Sequence, residues 1–317
     1  NNSHATLAIS HASILVPFLL GSGLALALYP IYSHRGVDFT VFALFIGVSL
    51  SVTAFPVLAR ILTDRRMQAS KLGVTAIACA AVDDATAWCL LAFVSAVASA
   101  QLGSAGWTIG LTSGFVALML FGVRPLLAVL SQRVERQEQR PVSMTVLALV
   151  FSGILLSAVA TEAIGIHALF GAFLFGSVMP SGGRLAKQLR ARLEDIVLVL
   201  ILPVFFTFTG MRTRLDLVSS VRDWFFCAVI ILFATLGKLG GSFLAARVAG
   251  VGTRDAFALG VLMNTRGLME LVVLNVGLDM GVLSPALFAM LVLMALVTTF
   301  STTPILDRIY PRAALNP

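Results

Sequence analysis

Two aspartates stand side by side in the middle of a long apolar stretch, AVDDATAW, at Asp83 and Asp84. A carboxylate inside a bilayer costs about 2.5–3.5 kcal/mol on insertion scales unless it is paired or used. Two of them this close cannot both ionise freely. The pair therefore reads as a place where a proton is traded for another charge. Adjacent helical residues point about 100° apart, so the two acids face different neighbours. Asp83 shares its face with Cys79, Ala80, Thr86 and Ala87, and Asp84 shares its face with Ala80, Ala81, Ala87 and Trp88. These small residues leave room for another element to cross close by.

Lys238 is the natural partner for one of the acids. It lies mid-span in ATLGKLGGSFLAAR, too deep to reach either surface easily. A lysine alone at that depth is costly to keep charged, and a carboxylate beside it offsets the cost. We expect Lys238 to pair with Asp83, leaving Asp84 to bind a proton or a monovalent cation. Arg266 and Glu270 are four residues apart on one helical face, a spacing suited to a local ion pair. Glu162 and His167 fall at a connector and read as interfacial or hydrogen-bonded side chains.

The elements that must position these groups are transmembrane helices. The chain has 317 residues, 58% hydrophobic and 12% charged, against about 25% charged in soluble domains. Its apolar runs, about 20–28 residues long, suit a ~30 Å hydrocarbon core. Lipid-exposed backbone must satisfy its own hydrogen bonds, which favours helices. The reading is an all-α polytopic membrane protein of about ten spans: 12–28, 38–63, 70–99, 106–130, 141–161, 166–180, 195–211, 222–248, 254–277 and 283–306. The basic segment 181–195 reads as an amphipathic stretch lying at the interface. Fourteen basic residues, among them Arg65, Arg133, Arg140, Lys187, Arg254 and Arg312, fall on one set of alternate connectors and four (Arg35, Arg212, Arg214, Arg222) on the other. The positive-inside rule places the richer side, and both ends of the chain, in the cytoplasm. The net charge of +7 is thereby explained by topology, and no nucleic-acid partner is expected. Cys79, Cys89 and Cys227 lie inside apolar runs without metal-type spacing.

Two spans carry polar residues with Pro or Gly at mid-depth: Thr53 and Pro56 in SLSVTAFPVLARIL, and Asn264, Thr265, Arg266, Gly267 and Glu270 in LMNTRGLMELVVLNVG. Such patterns predict unwound helices lining a cavity or buried in protein. Each is the middle of a three-helix unit, 12–99 and 222–306, offset by seven helices, which predicts an inverted repeat with a binding site at the paired breaks. Gly106, Gly110 and Gly114, and Gly237 and Gly241, recur at four-residue spacing and predict close helix packing.

SVTAFPVLARIL, ACAAVDDATAWCLLA, GIHALFGAFLFGSVMP, LPVFFTFTGMRTRLDL and LMNTRGLMELVVLNVG, in this order, resemble the sodium/proton exchanger domain of the monovalent cation:proton antiporter-2 family, in particular bacterial relatives of the plant cation/proton exchangers. The resemblance covers essentially the whole chain, 1–317, as a single transmembrane domain. It implies an antiporter fold with two discontinuous helices crossing near the aspartates and a likeness of Asp84 to the family's obligatory carboxylate. Asp83 matches the neighbour that marks double-acid members, Lys238 the membrane lysine, and Thr53 and Asn264–Gly267 the two helix breaks. It also implies about three further N-terminal helices, a homodimer when full length, and residence in a bacterial inner membrane.

The expected function is sodium/proton or potassium/proton exchange by alternating access, with no cofactor beyond the transported ions. A sodium-coupled organic-anion symporter of the same fold type and a cation channel are the alternatives. An intramembrane aspartyl protease needs two aspartates converging from different helices, which neighbours on one helix do not provide; no enzyme activity is expected.

Overall fold

The computed structural model describes residues 2–100, 105–136 and 142–311. Arg140 and Arg312 of the basic connectors lie outside them. Helices α1 (Asn2–Tyr32), α2 (Phe39–Ser51), α3 (Phe55–Asp64) and α4 (Lys71–Ala100) open the chain. Next come α5 (Ala105–Ala117), α6 (Arg124–Glu135), α7 (Met144–Ile164), α8 (Ala168–Val178), α9 (Arg184–Ile196) and α10 (Leu202–Arg212). The chain closes with α11 (Val221–Val248), α12 (Thr253–Met263), α13 (Leu268–Asp279) and α14 (Pro285–Ile309). No strand occurs among the described residues. Among the described residues eight helical segments are long and apolar enough to cross a membrane, α2 with α3, α5 with α6 and α9 with α10 each counting as one, and α12 with α13, bent by 42°, makes nine. The protein is an all-α polytopic membrane protein.

The helix ends follow local chemistry. Asp38 caps α2 by accepting from the Thr40 amide at 2.7 Å, and Ser220 and Asp223 form a reciprocal capping box at the start of α11. Pro285 follows the cap Ser284 at the start of α14, where its missing N–H costs nothing. Gly165, with φ at +96°, ends α7 in the left-handed conformation.

Two readings of the sequence change. The stretch 166–180 forms only the eleven-residue α8, about 16 Å long and shorter than the span expected. His167 caps it, accepting from the Leu169 amide at 3.4 Å, while Glu162 accepts from the Ala168 amide at 2.8 Å. The basic segment 181–195 is not separate from the span that follows. From Arg184 to Arg212 the helix is continuous, through a π-helical stretch at Val197–Ile201. Hydrophobic residues take over at Ile196 with no Gly or Pro before Pro203, which the helix absorbs just after the π-helical stretch, so propagation continues.

The chain forms two compact units: residues up to Leu91 together with those from Met211, and Ala92–Gly210. The second has a core around Phe115, Met119, Leu147, Val150 and Phe175. The first has a core including Ile9, Leu58, Leu62, Cys79, Leu259 and Met263. In the first unit α1 lies tightly against both α2 and α11. A Cβ at Gly21 would stand 2.9 Å from the Ile46 carbonyl, and one at Gly237 or Gly241 would stand 2.8 Å from Pro17 Cα or 2.9 Å from the Ala12 carbonyl. Glycine is what allows these backbones to approach. The other glycine series behaves differently: a Cβ at Gly110 or Gly114 would meet nothing within 4 Å, so close packing among the described residues does not explain it.

Candidate functional site

Within the first unit, α2 stops at Ser51, and Val52, Thr53 and Ala54 run extended or irregular before α3 begins. Pro56 lies in the first turn of α3, where its missing N–H is harmless. The second interruption is Asn264–Gly267, between α12 and α13. The two breaks touch. The Ala54 amide donates to the Thr265 carbonyl at 2.9 Å, and a Cβ on Gly267 would come within 2.8 Å of Val57 Cγ2. Thr299 of α14 latches the second break: its hydroxyl accepts from the Arg266 amide at 2.8 Å and stands 2.9 Å from the Arg266 carbonyl.

A helix end leaves four carbonyls without partners, and inside a membrane no water serves them. All four at the end of α2 are met. Val48 accepts from the Ser51 hydroxyl at 2.9 Å. Ser49 and Leu50 accept from the Arg266 guanidinium at 2.8 and 2.7 Å. Ser51 accepts from Lys238 Nζ at 2.5 Å. Arg266 also pairs with Glu270 at 2.8 Å, both side chains fully buried. The local pair expected from their spacing is present. What the spacing did not reveal is that Arg266 reaches across to the other break.

Asp83 sits beside this crossing, 1% exposed. Its Oδ2 accepts from Ser13 at 2.6 Å, from Thr53 at 2.8 Å and from Lys238 at 3.0 Å. Its Oδ1 accepts from Ser10 at 2.5 Å. Lys238, fully buried, spends its remaining donors on the carbonyls of Ser13, at 2.9 Å, and Ser51. Thr53 also lies 3.1 Å from the Met263 carbonyl, but its single proton serves one acceptor at a time. Asp84 differs from its neighbour. It is partly exposed and has no hydrogen-bond or ion-pair partner among the described residues.

Asp83, Lys238, Thr53, Asn264, Thr265, Arg266, Gly267 and Glu270 thus gather around one crossing, with Asp84 one residue along α4. Pro56 stands apart at an exposed position on α3. Ser10, Ser13 and Thr299 also belong to the site; Ser10 and Ser13 escaped sequence reasoning, since a serine in an apolar helix carries no pattern of its own. A cavity of about 510 Å³ opens near one end of the same unit, lined by residues including Thr6, Ile9, Lys71, Thr75 and Asp255. Outside the spans, Tyr310 donates its hydroxyl to Asp255 and stacks 4.4 Å beneath Arg254. Burial and then the Asp255 carboxylate push the phenol up to about 12. Arg65, on the same basic-rich side, pairs with Asp307.

The chain matches the family described as sodium/hydrogen exchanger, transmembrane, over residues 1–308. It is 40% identical over 308 residues to the Na(+)/H(+) antiporter NhaS4 of Synechocystis, a match covering 96% of this chain and 74% of that one. It is 40% identical over 320 residues to Cation/H(+) antiporter 20 of Arabidopsis thaliana, covering 96% and 37%. It is 37% identical over 314 residues to K(+)/H(+) antiporter 1 of Saccharomyces cerevisiae, covering 96% and 36%. The chain therefore spans about three quarters of the first relative and little more than a third of the other two. With paired helix breaks, a buried Asp–Lys pair and a family match running nearly its full length, the chain belongs to the sodium/hydrogen exchanger family of transmembrane proteins.

Proposed function

We propose that this chain exchanges a monovalent cation for protons, with proton and cation competing for Asp84. The observation that carries this reading is the contrast within the aspartate pair. Asp83 is buried and accepts from four donors, whereas Asp84 is partly exposed and has no protein partner among the described residues. A carboxylate left open at membrane depth is a functional group by default. The half-helices α2 and α12 end at the crossing, and such C-terminal ends carry negative partial charge that helps hold a cation. The relatives are named for sodium, potassium or unspecified cation antiport with protons, which supports exchange over symport or channel flux.

In this reading the cation displaces the proton from Asp84, and alternating access presents the same residue to the other side. The site lies in a bacterial inner membrane, with the short α8 completing ten crossings and both ends of the chain cytoplasmic, and the full-length protein works as a homodimer. The units 12–99 and 222–306 act as inverted repeats. The test is dequenching of a pH-sensitive dye in everted vesicles on adding sodium, potassium and lithium in turn. Cation-dependent dequenching that is lost in Asp84→Asn is expected. Full exchange in that variant would overturn the site, and dequenching independent of any cation would overturn exchange.

A further inference from the structure

The contacts of Asp83 are divided unequally between its two oxygens. Oδ2 receives three donors, from Ser13, Thr53 and Lys238, which is more than its roughly two lone-pair sites hold at full strength. Oδ1 has a single donor, Ser10, at 2.5 Å. Ser10 and Ser13 are fully buried and stand one helical turn apart on α1. That helix is held in place by its glycine-mediated contacts with α2 and α11. Ser13 also donates to or shares its proton with the Ser10 carbonyl at 2.8 Å, so its hold on Asp83 is divided. Oδ1 is therefore the one oxygen with spare capacity, and one hydroxyl keeps it aimed at α1.

We infer that Ser10 is a specificity-determining positioning residue: it holds Asp83 turned toward α1, so that an ion at Asp84 meets one carboxylate and not two. This rests on the exchange reading above. A site with one carboxylate binds a monovalent ion weakly enough to release it on the far side. A site that recruits the neighbouring acid holds the ion longer and turns over more slowly. Lys238 does not provide this control, because it contacts only the oxygen already crowded by Ser13 and Thr53. Thr53 lies on the broken span and likewise contacts Oδ2.

The experiment compares Ser10→Ala, Ser13→Ala and Ser10→Thr in reconstituted vesicles. The apparent KM and maximal rate are measured for sodium and potassium, and sodium-induced thermal stabilisation is measured on the same purified proteins. Ser10→Ala is expected to lower the apparent KM about five- to tenfold, the scale of one charge-assisted hydrogen bond, and to lower the maximal rate with it. Ser13→Ala is expected to change KM less than about twofold, since Oδ2 keeps two donors. Ser10→Thr, which keeps the hydroxyl, is expected to match the unaltered protein. An unchanged KM and unchanged sodium stabilisation in Ser10→Ala overturn the inference, as does an equal or larger effect of Ser13→Ala. A merely structural serine would lower the melting temperature without tightening the ion. If the unaltered protein shows no cation-dependent proton flux, exchange itself fails. Sodium-induced stabilisation still decides the role of Ser10.

Discussion

The two helix breaks solve one problem with opposite chemistry. At the end of α2, three of the four terminal carbonyls are served by charged side chains, Arg266 from the other break and Lys238 from α11. At the end of α12 every donor is neutral and close in the chain or supplied by the other break. The Asn264 amide bonds Gly260 and Val261, the Thr265 amide and hydroxyl both serve Leu262, and the Thr53 hydroxyl lies 3.1 Å from Met263 with its one proton divided between that carbonyl and Asp83. A helix C-terminus carries about half a negative charge. The first break is thus neutralised by borrowed cations, and the second keeps its partial charge. Both cations come from the 222–306 segment and act on the 12–99 segment, so the first break exists only in the context of the second. This teaches that sensitivity to substitution is unequal between two breaks that look alike in sequence.

That inequality can be broken experimentally, and four substitutions rank it. Arg266→Ala strips two carbonyls of α2 and leaves Glu270 buried without its cation. A loss of about 3–5 kcal/mol is expected, seen as a collapse of thermal stability in detergent. Lys238→Met strips the Ser13 and Ser51 carbonyls and leaves Asp83 buried without its cation but with three hydroxyl donors, so a loss at the lower end of the same range, about 3 kcal/mol, is expected. If Lys238→Met proves the more damaging, the hydroxyls do not hold Asp83 as described. Gly267→Ala pushes a methyl against Val57 and Ala54 and should cost about 1–3 kcal/mol, toward the lower end because Val57 is partly exposed and can shift. Thr265→Val removes one of two donors to Leu262 and should cost about 1 kcal/mol or less. A loss at Thr265 as large as that at Arg266 would erase the contrast between the breaks.

Much of this was legible in the chain. Pro or Gly next to polar residues at mid-span marked both interruptions, because a membrane tolerates unwound backbone only where something serves it. Lys238 was recognisable as the partner of Asp83 because a lone lysine at that depth has few alternatives. Arg266 and Glu270 were readable only as a local pair. Spacing along one helix is blind to acceptors on another, so the reach of Arg266 to Ser49 and Leu50 needed coordinates. Ser10 and Ser13 were invisible for a different reason: a buried serine satisfied by its own helix and one satisfied by Asp83 look the same in sequence. The continuity of α9 into α10 was missed because a basic amphipathic pattern suggests a separate interfacial helix, and only the absence of a breaker near Ile196 argued otherwise.

The bond from the Ala54 amide to the Thr265 carbonyl has a consequence for deuterium labelling. Amides outside regular helices normally trade their hydrogen readily with solvent, while protected ones wait for an opening event. Ala54 lies outside any helix yet is fully covered and bonded across the crossing, so its amide is expected to exchange on the slow timescale of helix interiors. It is thus a native reporter placed at the crossing. Deuterium uptake there that stays slow during turnover would mean the two breaks travel as one block. Uptake that quickens with cation present would mean they part at each cycle.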